Sequence, residues 1–198
     1  MWDQRFAEPG FVYGDQPNDY LRQVVARIPS GEVLCIGEGE GRNAVYLAEQ
    51  GFSVTAVDAS AVGLEKARGL AAERGVSIET IHADLADFVI EPGRWSGVIE
   101  VFCQLLPALR SQVHAAAAAG LAIGGAFVLE AYTPRQLGRG TGGPPILERL
   151  YEPADVRRDL QAAGLRLERA EEVVREVREG RYHVGASAVL QVLGFRRA

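Results

Sequence analysis

The sequence predicts an α/β fold built on an open, mostly parallel sheet, and three observations predict it. Short β-rich runs alternate with helical runs from Val33 to Tyr132, the pattern that sets parallel strands side by side with helices between them. The run Val33-Leu34-Cys35-Ile36 is wholly apolar, as suits a central strand buried on both faces. Gly37-Glu38-Gly39-Glu40-Gly41 follows it, and then a helical run from Ala44 to Ala48, giving a strand, a tight turn and a helix. Glycine at alternate positions admits positive φ and lets the backbone approach a ligand, which in such a sheet sits beyond the carboxyl ends of the strands.

Composition bounds the rest. The 198 residues suffice for one domain with a sizeable core, and 47% hydrophobic with 24% charged residues is ordinary for a globular chain. The net charge is −5 and there is no long basic run, which argues against a large nucleic-acid footprint. Arg135, Arg139, Arg149, Arg157 and Arg158 cluster in sequence, and a solvated face accounts for them. Cys35 and Cys103 each stand inside an apolar run, as buried free thiols do, and form neither C-x-x-C nor a metal-type spacing. His82, His114 and His183 lie far apart and give no ligand pattern. Met1 to Arg5 lacks the basic and apolar regions of a secretory leader, and no apolar run has the length of a membrane span. The expectation is a cytoplasmic, monomeric single domain over residues 1–198, without membrane or nucleic-acid partners.

Taken in order, residues 1–19 read as an irregular arm in which Trp2, Phe6, Phe11 and Tyr13 interleave with Pro9, Gly10, Gly14 and Pro17. So many aromatic side chains in a polar arm imply docking onto the domain, as an arm or lid. Asn18 or Asp19 N-caps a helix over Tyr20 to Ile28, with Leu21, Val24, Val25 and Ile28 at helical spacing, and Pro29-Ser30-Gly31 ends it. The helix after the glycine turn stops at Gly51. Phe52 to Val57 is a second strand ending at Asp58, Val62 to Arg74 a helix closed by Gly75, and Val76 to Ile81 a third strand. Trp95 to Phe102 is the fourth strand and Leu105 to Leu121 an Ala-rich helix. Ile123-Gly124-Gly125 turns into the fifth strand, Ala126 to Tyr132. Thr133 to Pro145 is rich in Gly and Pro on the ligand side, a lid or a plain connector, and residues 133–150 are assigned to the substrate side. Pro153 to Ala163 is a helix. Arg166 to Arg178 alternates in places as a strand, Glu179 to Gly185 is a polar turn, and Ala188 to Phe195 is the last strand. Two strands joined by a turn predict an antiparallel hairpin on the sheet edge.

The turn discriminates between ligands. A dinucleotide loop reads G-x-G-x-x-G, and aligned on Gly37 and Gly39 its third glycine falls on Arg42. Glu38 and Glu40 would also repel a pyrophosphate, at about 4 Å by roughly a few kcal/mol in a partly screened site. A ligand with an ammonium and a sulfonium but no phosphate suits an acidic turn, and S-adenosylmethionine (SAM) is such a ligand. Asp58, 17 residues past Gly41, stands where such folds hold ribose hydroxyls, or caps the helix starting near Ala61. Asp84, past the third strand, accepts from the adenine amine with Leu85 over the ring, or closes an Asx turn.

The turn, Asp58 and Asp84, in this order and at these strand ends, resemble the class I SAM-dependent methyltransferases over about Ala7 to Phe195. Gly37 to Asn43, Tyr46-Leu47-Ala48 and Gly51 to Asp58 are similar to the small bacterial methyltransferases related to the tellurite-resistance and thiopurine enzymes. So is the arm, Trp2-Asp3-Gln4-Arg5-Phe6 with Tyr13 to Asn18. The resemblance implies a Rossmann-like, doubly wound, mostly parallel seven-stranded sheet with a C-terminal antiparallel hairpin. It implies SAM as methyl donor, S-adenosylhomocysteine as product and a small-molecule acceptor. By position, Gly37, Gly39 and Gly41 face the methionine part, with Glu38, Arg42 and Asn43 beside them. Asp58, next to Ala59, holds the ribose; Asp84 and Leu85 hold the adenine. Val101 and Phe102 border the methyl group, and Tyr13 lies over the site as part of a lid. Cys35 departs from the family, which has an acidic residue two places before the first glycine. Glu38 replaces a small residue or cysteine, and on this reading takes over the bond to the SAM ammonium. Gln104 stands where relatives often have His.

Methyl transfer from a sulfonium needs alignment and the exclusion of water more than it needs an acid or base, so no catalytic residue is singled out. Gln104, Tyr132, Tyr182 and His183 flank the expected acceptor side, or are packing and loop residues. Cys35 and Gln104 leave open a SAM- or nucleoside-binding protein without catalysis. An NAD-dependent oxidoreductase is opposed by Arg42 and the acidic turn.

Overall fold

The computed structural model describes residues 1–197. Strands β1 (Glu32–Ile36), β2 (Ser53–Asp58), β3 (Glu79–His82), β4 (Trp95–Val101) and β5 (Leu121–Tyr132) run parallel. β7 (His183–Arg196) lies antiparallel beside β5, and β6 (Leu165–Glu179) pairs antiparallel with β7. The seven form one sheet in the order β3-β2-β1-β4-β5-β7-β6, in keeping with the seven-stranded, mostly parallel sheet and C-terminal antiparallel hairpin that the resemblance implies. The described residues also form six α-helices: α1 (Trp2–Phe6), α2 (Asp19–Val24), α3 (Arg42–Glu49), α4 (Ala61–Glu73), α5 (Pro107–Gly120) and α6 (Pro153–Ala162).

The apolar run of β1 has a physical reason. Val33 and Cys35 enter one apolar cluster with Tyr20, Leu21, Ala44, Leu47 and Leu64 from α2, α3 and α4. Leu34 and Ile36 enter the other, with Val113 and Ala117 of α5 and Val156 and Leu160 of α6. A strand covered on both faces buries every side chain, and each large aliphatic one contributes about 1.5–3 kcal/mol. Among the described residues, no helix is long and apolar enough to cross a membrane, and no cluster of His, Cys, Asp and Glu is placed to hold a metal ion.

Four elements differ from the sequence reading. The arm is not wholly irregular, because Trp2–Phe6 forms a short helix whose Asp3 accepts from the Ser60 hydroxyl at 2.5 Å. β3 is shorter than expected and starts at Glu79, leaving Val76 and Ile78 packed on the core outside the ladder. The turn Ile123-Gly124-Gly125 lies inside β5, where the ladder with β4 shifts register between Trp95 and Gly97 and Gly124 has φ +80°. Most important, the polar turn at the hairpin is short. β6 runs on to Glu179 and β7 begins at His183, with Glu179 opposite His183. β5 ends its pairing at Tyr132 opposite Val189. The tip of the β6–β7 ribbon therefore projects past the carboxyl end of β5 and carries Glu179 and His183 over the ligand side of the sheet.

Candidate active site

The chain crosses from β3, on one side of β1, to β4 on the other. That reversal opens the crevice in which such a sheet receives its ligand. The turn Gly37–Gly41 forms one wall. Gly37, Gly39 and Gly41 have φ of +62°, +64° and +90°, a region costly for any residue with a Cβ. Space is closed as well. A Cβ would lie 2.4 Å from the Cys103 Sγ at Gly37, 2.8 Å from the Phe6 ring at Gly39 and 2.5 Å from the Ala67 Cβ at Gly41.

Three carboxylates satisfy the N–H groups of this region. Asp58 Oδ2 accepts from the Gly39 N–H and its Oδ1 from the Ser60 N–H, both at 2.8 Å. Burial pushes its carboxyl up, against those two bonds. Helix α4 is capped instead by Ser60, whose Oγ accepts from the Gly63 N–H at 3.1 Å. Glu38 Oε1 accepts from the Asn43 and Ala44 N–H groups at 2.9 Å each. It thereby caps α3, whose own cap residue is Gly41. Burial pushes the Glu38 carboxyl up to about 7. Glu40 Oε2 accepts from the Val12 and Tyr13 N–H groups at 2.8 and 3.2 Å, and its Oε1 pairs with Lys66 Nζ at 2.9 Å. Lys66 also donates to the carbonyls of Glu8 and Gly10 at 2.8 and 2.6 Å. The acidic turn thus directs Glu40 onto the arm and one oxygen of Glu38 onto a helix end.

The remaining sequence candidates fall into two groups. Arg42 and Asn43 are buried and tie the site to its surroundings: Arg42 pairs with Glu179 at 2.6 Å, and Asn43 Oδ1 accepts from the Asn18 N–H at 2.9 Å. Ala59 is exposed, its carbonyl 3.1 Å from His82 Nε2. Asp84 is exposed and closes the Asx turn, its Oδ1 accepting from the Ala86 N–H at 2.9 Å, while Leu85 packs on the core. Gln104 brackets Tyr132, accepting from its N–H at 2.7 Å and donating to its carbonyl at 3.3 Å. Tyr182 is exposed and donates to Glu8 at 2.8 Å.

The second group forms an aromatic cluster beyond β4. Val101 is buried, and Phe102 after it has φ +54°, the one positive φ outside glycine among the described residues. Its ring stacks on Tyr132 with centroids 4.5 Å apart and meets His183 edge-on at 4.6 Å. Tyr13 covers His183 at 4.5 Å. Tyr132 and His183, 5.3 Å apart, are buried, and the Tyr132 Oη and His183 Nδ1 have no hydrogen-bond partner. Burial, reinforced by the Arg42 charge, holds His183 down to about 3, and burial pushes the Tyr132 phenol up. Both side chains are neutral at pH 7. Cys103, its thiol also pushed well up by burial, is no thiolate nucleophile there.

A buried charge network holds this cluster. Arg175 pairs with Glu130 and, at 2.6 Å, with Glu179. Asn18 Nδ2 donates to both carboxylates at 3.3 and 3.1 Å, and Gln191 donates to Glu130 at 2.9 Å. Burial opposes the charge on Glu179, but Arg42 and Arg175 outweigh it and hold its carboxyl below the usual range. Sequence reasoning missed this network, as it missed Phe6 over the turn. Its members are scattered from residue 18 to 191 with no local spacing to betray them.

Comparison with known proteins agrees with this architecture. Residues 33–125 match the family described as "Methyltransferase domain". The 2-heptyl-1-hydroxyquinolin-4(1H)-one methyltransferase of Mycobacteroides abscessus is 33% identical over 99 residues, 50% of this chain and 44% of that protein. The chain therefore spans less than half the length of this curated relative. A solved structure described as the conversion of a disulfide bond into a thioacetal group during echinomycin biosynthesis superposes with a TM-score of 0.75. It is 19% identical, over 96% of this chain and 85% of that one. A SAM-dependent methyltransferase from Methanosarcina mazei gives 0.69 at 15% identity, over 88% and 97%. The segment from β1 into β5 is thus similar to a methyltransferase domain, and the chain has the fold of the SAM-dependent methyltransferases. SAM is the cofactor of that class. Asp58 fits it, for each carboxylate oxygen accepts one backbone N–H and keeps a lone pair for a hydroxyl.

The arm's attachment is testable. Glu40→Ala removes two charge-assisted bonds worth about 1.5–3 kcal/mol each. Amide exchange at Val12 and Tyr13, followed by mass spectrometry, is expected to accelerate at least about tenfold. Unchanged exchange would mean that the arm is held elsewhere.

Proposed function

We propose that this protein transfers a methyl group from SAM to a small aromatic acceptor. The observation that carries the reading is the buried Asp58 carboxylate at the end of β2, joined to the Gly39 N–H at 2.8 Å, with the aromatic cluster standing beyond β4. Asp58 holds the ribose hydroxyls, Asp84 and Leu85 the adenine, and the turn backbone the methionine part. Glu38 gives its second oxygen to the ammonium. Bound SAM supplies a methyl group already activated on sulfonium, so the acceptor atom needs alignment and a dry site. Phe102, fixed at the end of β4, borders the methyl group, while Tyr13 on the arm and the 133–150 loop exclude water. Phe6 lies against Gly39, so the arm, residues 1–19, opens to admit the cofactor and closes over it. On the same reading the chain is a single doubly wound domain, which the helices packed on both faces of the sheet support.

The choice of acceptor follows the curated relative, named for a hydroxyquinolone, and the ring cluster, which suits a flat molecule. The finer likeness to tellurite-resistance and thiopurine enzymes belongs to the same reading and adds soft sulfur, selenium and tellurium nucleophiles to the panel of acceptors to be tried.

Calorimetry with SAM, S-adenosylhomocysteine and NAD tests the reading. Both sulfur ligands are expected to bind; NAD binding without them would reject it. Asp58→Ala is expected to weaken SAM by about 1–3 kcal/mol, roughly 5- to 150-fold, and an unchanged affinity would remove Asp58 from the site. Glu38 gives a pH signature. With its carboxyl near 7, the free protein at pH 6.5 holds it largely protonated, and a bound ammonium favours the ionised form. Binding at pH 6.5 should release a fraction of a proton, read from enthalpies in buffers of different ionisation heat. Glu38→Gln should abolish the release; its persistence would assign the proton to another group.

A further inference from the structure

Tyr132 and His183 stand apart from the other aromatic residues of the site. Their Oη and Nδ1 are polar, buried and without partners, and buried polar atoms are as a rule satisfied. Their rings are also in contact, with centroids 5.3 Å apart. A Cβ on Gly142 would lie 2.4 Å from the Tyr132 Oη and 3.0 Å from the His183 Cδ2, so the backbone of the glycine-rich loop covers this pair of rings. That loop is fastened by polar contacts: the Gln136 side chain donates to Thr141 Oγ1 and the Gly142 carbonyl at 2.8 and 3.0 Å. Both rings pack on Phe102, and Tyr13 lies over His183.

We propose that the Tyr132 hydroxyl and the His183 Nδ1 are the polar end of the acceptor pocket and bind the hydroxyl of a flat heteroaromatic acceptor that lies against Phe102. The assignment rests on the methyltransferase reading and adds to it the residues that choose the acceptor. Tyr132 donates to the acceptor oxygen, and neutral His183 accepts from its O–H. A histidine held down to about 3 accepts a hydrogen bond but is far too weak a base to take the proton of a phenol-like hydroxyl. Its part is therefore to orient the neutral hydroxyl on binding; methyl transfer then goes to acceptors acidic enough to lose that proton to solvent, the oxyanion keeping its hydrogen bond from Tyr132. Site selectivity follows: a ring without a hydroxyl leaves both polar atoms unsatisfied, and such sites discriminate strongly.

The test uses the full chain loaded with S-adenosylhomocysteine, which permits binding without turnover, and compares 3-hydroxyquinoline with quinoline by calorimetry. The intact protein should prefer the hydroxylated ring by at least about tenfold. Tyr132→Phe and His183→Leu should each cut that preference at least about fivefold while leaving the affinity for S-adenosylhomocysteine and the thermal midpoint nearly unchanged. His183→Asn, which keeps a polar atom near the Nδ1 position, should restore part of it. If either first variant fails to fold, Tyr132→Leu or His183→Phe, which likewise lack the polar atom, gives the same comparison. S-adenosylhomocysteine binding with an unaltered hydroxyl preference in the variants would overturn this assignment alone. Failure of the intact protein to bind S-adenosylhomocysteine would overturn the methyltransferase reading and this assignment with it.

Discussion

The molecule depends on a turn whose N–H groups are claimed by carboxylates. Between β1 and α3 the backbone takes three left-handed glycines, and a chain so bent exposes donors that a strand or helix would have used. Asp58 takes one of them from the end of the neighbouring strand, and Glu38 takes two more at the start of α3. Glu40 takes two from the arm. The same short stretch therefore fixes the crevice wall, starts a helix and fastens the cover. Its glycines are needed on every side, because Cys103, Phe6 and Ala67 approach the turn closely enough to leave no room for a Cβ.

The opposite wall depends on charge buried in equal numbers. Glu130 and Glu179 meet Arg42 and Arg175, with Asn18 and Gln191 completing the bonds. Buried ion pairs add little net stability over apolar packing, but an arrangement in which each member is satisfied by the others permits few alternatives. Here it joins the arm, α3, β5 and the tip of the ribbon. With those four elements fixed, Tyr13, Phe102, Tyr132 and His183 are brought to one point from positions 13, 102, 132 and 183.

Much of this was legible in the sequence, and the exceptions have physical causes. The strands were readable because the sheet is buried on both faces, so Val33 to Ile36 and Ala126 to Leu129 stand out as apolar runs. Asn18 as a cap was readable from local chemistry, and its Oδ1 does accept from the Leu21 N–H. The ribbon tip was not, since Glu179 to Gly185 is polar; pairing beyond the sheet edge, not burial, makes strand there. Helix α1 is five residues long, too short to stand alone, and exists through Asp3 on Ser60 and Phe6 on the turn. The acidity of the turn was legible as a composition, but the partners its carboxylates take within the protein were not. Glutamates beside glycines say nothing of which N–H groups they will find, and Glu40 found those of the arm.

The most direct test of the account is a crystal structure of the protein with S-adenosylhomocysteine. The account predicts the ribose hydroxyls within hydrogen-bonding distance of Asp58, the sulfur beside Phe102, and the Phe6 ring moved off Gly39 or resting on the ligand. Density for that molecule elsewhere, with Asp58 still enclosed by its two backbone partners and nothing else, would contradict it.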